Sequence, residues 1–146
     1  MLAVGVSFWR PVPAGVWHDD GVYLVIGKAL SEGSGLQYAG VPGGVPAVKF
    51  PPAYPWTLAV LWRVFGSLGG VTLAAVGLNL LLLAASGSLI ALAVHRSGVL
   101  TGWGSVALGG LAFISADVWR QALVPLSESL FIALLAGALA AWGWAS

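Results

Sequence analysis

Charge is absent from long stretches of this chain, and that limits its folding more than any motif does. Nothing charged lies between Arg63 and Arg96, between Arg96 and Asp117, or after Glu128, and His95 is the only titratable side chain inside those gaps. Each gap can hold a run of about 20 apolar residues, enough to cross a hydrocarbon core roughly 30 Å thick. Inside lipid the backbone must satisfy its own hydrogen bonds, and for single segments this means helix. Composition agrees: 59% of residues are hydrophobic, 8% are charged, and the mean hydropathy is +0.94, against about 25% charge in a soluble domain. The expected fold is all-α, with polytopic transmembrane helices in an integral membrane protein.

The net charge of +1, with no cluster of Lys or Arg, argues against nucleic acid as a partner, because duplex binding needs grouped cations to release counterions. The chain has no cysteine, so disulfides, thiolate catalysis and cysteine metal sites are excluded. Residues 1–13 read as the remnant of a first span, and the sequence stops in or just after the apolar run 130–145. The whole is therefore expected to be the N-terminal part of one larger multispanning domain.

Residues 14–68 read as an external loop carrying short juxtamembrane helices. Asp19 or Asp20 can cap the first of these, with Tyr23, Ile26 and Leu30 at helical spacing and Gly33 as the stop. Its apolar face is expected to lie on the membrane plane. Between Glu32 and Val48, glycines and prolines predict a mobile loop without periodicity. Pro51 and Pro52 then open a second short helix, Ala53 to Phe65, rich in Trp and closed by Gly66, which reads as interfacial rather than spanning. About three spans are expected within 70–146, near 71–94, 100–115 and 126–144. His95-Arg96 is the one basic connection free of acids, which places it in the cytoplasm and every acidic residue on the opposite face.

The order of these features resembles a family. An acidic pair after a first helix, a short Tyr-containing helix, a Gly-containing loop, then K-F-P-P-A-Y-P and an apolar helix ending in F-G is similar to the first external loop of GT-C type polyprenyl-phosphate-dependent glycosyltransferases. The subgroup it most resembles includes the protein mannosyltransferases and the lipid A aminoarabinose transferase, and P-L-S-E-S-L-F at Pro125 to Phe131 is similar to the start of a later helix there. The resemblance implies transfer of a sugar from a polyprenyl-phosphate donor, with inversion, to an acceptor lipid, glycan or protein. The acceptor side is extracytoplasmic, and the setting is the bacterial inner membrane, with the lipid bilayer as a further partner.

Such a displacement needs a carboxylate to take the acceptor proton and cations to hold the departing phosphate. Asp19 and Asp20 are the catalytic candidates, Asp19 being favoured because Asp20 is better placed to cap. Lys49 is the leading phosphate candidate, with Arg63 and Arg120 as further donors of charge-assisted bonds. The resemblance puts Glu128 at the family's second acidic position, as a sugar ligand or a partner for Lys49, and includes Tyr54 in the substrate-binding set. No nucleotide motif is present, in keeping with a lipid-borne donor. No cofactor is otherwise implied, though an acidic pair admits a divalent metal ion.

Each assignment has a plainer competitor. The acidic pair can be a capped loop start, and Lys49 can snorkel to headgroups. Lys28 and Glu32, four apart, read as a solvated ion pair, and Arg63, Asp117 and Arg120 as interface anchors or a structural pair. His18 is at most a polar neighbour of the acids. Gly98 and Gly102 form a small-xxx-small spacing of weak specificity, and Asn79 reads as a bond between helices. The rival functions are a fragment of a membrane transporter, whose ionisable groups belong near the midplane rather than at span ends, and a non-catalytic membrane scaffold.

Overall fold

The computed structural model describes Gly15 and residues 19–100, 102–111 and 113–145. The expected remnant of a first span at 1–13, together with His18, lies outside the described residues. Six helices follow in order: α1 (Asp19–Ser31), α2 (Ala53–Phe65), α3 (Leu68–Arg96), α4 (Trp103–Leu111), α5 (Ala116–Ala122) and α6 (Glu128–Ala145). The described residues are all-helical apart from one isolated bridge, between Gln37 and Pro46. The chain divides into two compact units, the first ending at Leu78 and taking in Leu123–Leu126, the second made of the remainder.

In the first unit α1 and α2 pack side by side and run in the same direction. Tyr23 meets Tyr54, Gly27 meets Leu58 and Ser31 meets Arg63, so contacts advance together along both helices. Gly27 sets the approach: a Cβ there would fall 2.7 Å from Leu58 Cβ. Parallel helices need a return connection as long as the first helix, about 20 Å for α1, and residues 32–52 supply it. Gly33 (φ 79°) ends α1, with its N–H on Leu30 C=O and that of Ser34 on Ala29 C=O, the paired bonds of a Schellman cap. The connection is more folded than its lack of periodicity suggests. Tyr38 donates to Val45 C=O and Ala47 to Leu36 C=O, which turns Ala47 into a cluster with Ile26, Leu30 and Ala59.

Tyr23, Ile26 and Leu30 are buried, as their spacing predicts, but their face is closed by α2 and Ala47 rather than left for a membrane. The uncovered apolar face belongs to α2 instead, where Trp56, Val60 and Val64 recur every four residues and are each more than half exposed. Gly66 (φ 64°) caps α2 through its N–H to Trp62 C=O, and only Ser67 separates it from α3.

The helix α3 has 29 residues and is the one helix among those described that is long and apolar enough to cross a membrane. It contains the expected span 71–94. The expected span 100–115 is broken: α4 has only 9 residues, about 14 Å, and turns at Phe113 and Ile114 follow it. Gly109 and Gly110 weaken helix propagation there, and the indole N–H of Trp119 on α5 holds Phe113 C=O at 2.8 Å. The expected span 126–144 corresponds to α6, with 18 residues.

In the second unit α3 and α4 approach through Gly87, Ala91 and Gly109: a Cβ on Gly109 would collide with Gly87 C=O, and one on Gly87 with the Phe113 ring. This is the close seam that small residues permit. It does not use Gly98 and Gly102, which occupy left-handed turn positions (φ 73° and 54°) facing open space.

Candidate functional site

The shared direction of α1 and α2 puts both helix N-termini at one end of the first unit. That end carries the acidic pair from α1 and, from the approach to α2, Lys49 and Phe50. Tyr23, one turn beyond Asp20, ties them together. Its ring packs edge-on against Phe50 (centroids 5.1 Å apart) and against Tyr54 (5.3 Å), and the Lys49 ammonium lies 5.4 Å from the Phe50 ring centroid. Helix N-termini carry the positive end of the helix dipole, and here two of them lie at the end that holds Asp19, Asp20 and Lys49.

The two carboxylates differ sharply within this end. Asp20 is fully buried, with Oδ2 accepting the Gly15 N–H at 2.9 Å and Oδ1 accepting the Gly21 N–H at 2.7 Å. Both oxygens therefore tie the chain preceding α1 to its first turn. Asp19 is exposed and bonds to no described residue. Lys49 is also exposed, on a turn held by its neighbours Ala47 and Phe50 in the core. Tyr54, expected in the substrate-binding set, is 1% exposed and forms part of the floor beneath this end. Sequence reasoning missed Tyr23 and Phe50 as the residues that join the two segments. Tyr23 carried a signal in its place three residues after Asp20, and Phe50 in its place within K-F-P-P-A-Y-P.

Arg63 stands elsewhere. Its Nε donates to Ser31 C=O at 3.4 Å, where it answers an orphan carbonyl at the end of α1, about 16 Å along the helix from Asp20. It serves as a C-terminal clamp and is not gathered with the acidic pair. Lys28, on the same half of α1, lies 3.9 Å from Glu32 and 5.7 Å from the Trp62 ring centroid. The Trp62 indole N–H donates to Leu24 C=O at 3.0 Å.

Arg120 and Glu128 belong to the second unit. Arg120 bonds Asp117 of its own helix at 3.2 Å, and both side chains are largely exposed, so this pair contributes little to stability. Glu128 opens α6, and its Oε2 is buried without a hydrogen-bond partner among the described residues. A buried acceptor left unmatched among the described residues is open to a donor. No group of three His, Asp or Glu side chains among the described residues could hold a metal ion.

No protein-family profile, curated protein or solved structure matches the chain. The geometry of the α1–α2 end therefore carries the functional reading by itself.

Proposed function

We propose that the protein is a membrane-embedded glycosyltransferase component that moves a sugar from a polyprenyl phosphate to an acceptor at the extracytoplasmic face. The observation that carries this reading is that an exposed carboxylate, Asp19, and an exposed ammonium, Lys49, lie at the same end, built from two helix N-termini. In the reaction Asp19 takes the acceptor proton as the acceptor oxygen bonds the anomeric carbon. The bond from that carbon to the phosphate oxygen breaks with inversion, and the lipid phosphate departs with the electron pair. Lys49 and the helix N-termini stabilise the charge that gathers on the phosphate. Asp20 positions Asp19 by fixing the start of α1.

A membrane setting fits the surface. Only 28% of the most apolar stretch of α3 is buried within the protein, and Phe131, Leu134 and Trp142 on α6 are more than half exposed. Uncovered apolar area on this scale is unusual for a soluble monomer. Polytopic insertion, with α6 as a second span and α2 on the surface, is part of the same proposal.

Lys49→Ala tests the phosphate contact in membranes carrying the protein in its native genomic setting. Loss of a charge-assisted bond predicts donor affinity about 10-fold weaker, read as a raised KM for a labelled polyprenyl-phosphate sugar. Unchanged donor affinity would remove Lys49 from the phosphate site.

A further inference from the structure

A second concave surface lies along α1, on a different face from Ile26 and Leu30. Gly21, Leu24, Val25 and Lys28 form one stripe along α1, and with Trp62 and Leu68 they line a cavity of about 370 Å³. That volume falls within the range of small-molecule sites. Lys28 is the only charged side chain among the described residues that line it. The salt bridge of Lys28 to Glu32 is long, at 3.9 Å, and about half exposed on both sides, so the ammonium keeps donors for another anion. Trp62 cannot swing away, because its indole N–H is held by Leu24 C=O, and its ring lies beneath the Lys28 ammonium. A single cation over an aromatic ring with aliphatic walls matches an amphiphile: one anionic head and a hydrocarbon tail.

The position along the chain names the amphiphile. Leu68, one wall of the cavity, is the first residue of α3, the helix long and apolar enough to cross a membrane. The start of such a helix lies at headgroup depth, where Trp and Lys are favoured, so the cavity opens where bilayer lipids are most concentrated. We infer that this groove seats one anionic phospholipid of the surrounding bilayer, with its phosphate on Lys28 and its upper acyl segment against Leu24, Val25 and Leu68. This site rests on the membrane insertion proposed above but not on the transfer reaction. Glu32 opposes the bound phosphate, and that sets the sign of the test.

Native mass spectrometry of the purified full chain, titrated with phosphatidylglycerol or with phosphatidylcholine of the same acyl chains, reads the first bound lipid. Wild type should bind phosphatidylglycerol preferentially as a single adduct. Lys28→Gln should lower that preference about fivefold, Lys28→Arg should retain it, and Glu32→Gln should raise it about twofold. Helicity by circular dichroism checks that each variant is folded. A single phosphatidylglycerol adduct of undiminished preference in folded Lys28→Gln would overturn the assignment. So would displacement of the bound phospholipid by an equimolar polyprenyl phosphate, since the occupant would then be the donor lipid.

Discussion

A carboxylate whose two oxygens accept backbone N–H bonds is not free to take a proton from an acceptor, and Asp20 is in that position. Asp20→Asn turns an acceptor toward a backbone N–H into a donor facing a donor, which should destabilise the protein by about 1–3 kcal/mol, measured as a lowered Tm in detergent. Asp19→Asn should leave Tm unchanged, because Asp19 is exposed and no hydrogen bond or ion pair joins it to a described residue. Gly27→Ala drives a methyl to 2.7 Å from Leu58 Cβ and should cost about 1–3 kcal/mol. Adding Leu58→Gly removes the obstructing Cβ, so the double mutant should be less destabilised than the two single changes summed, read from a thermal-shift cycle. The acidic pair stood out in the sequence as charge in an apolar chain, and its helix-start position suggested that Asp20 caps. The closeness of Gly27 to Leu58 was not legible, because it depends on which face of α2 returns to α1. Tyr54 shows the same limit: its place in a motif did not reveal that it is buried.

At the level of elements, the two short helices were legible almost to the residue, because their stops are glycines in left-handed conformation and their starts follow Asp19 or Pro51-Pro52. Their mutual direction was not. A glycine-rich loop without periodicity gives no sign that it spans the length of α1 and buries Ala47 on the way. The break after α4 was hidden for a related reason: hydropathy is continuous from 100 to 115, and the packing of Phe113 against Gly87 and Trp119 accompanies the end of the helix. Trp62 joins α1 to α2 by a bond from the indole to Leu24 C=O. Trp62→Phe keeps the ring and loses that bond, so it should lower stability by about 0.5–1.5 kcal/mol, seen as a reduced Tm with unchanged helicity.

In the whole molecule, a membrane-length helix follows the two helices, α1 and α2, whose shared end carries Asp19 and Lys49. The protein should remain in the membrane pellet after alkaline carbonate extraction, whereas release into the supernatant would remove the bilayer from the account. Because the chain has no cysteine, single cysteines at Asp19 and at His95 can be labelled from outside intact cells. Asp19→Cys should react with a membrane-impermeant maleimide and His95→Cys should not. The most direct measurement is the rate at which membranes containing the protein transfer labelled sugar from polyprenyl phosphate to acceptor, compared between wild type and Asp19→Asn at matched protein levels. Loss of a general base predicts a fall in kcat of about 10²–10⁴-fold with donor KM little changed, and transfer at the wild-type rate by Asp19→Asn would contradict the account.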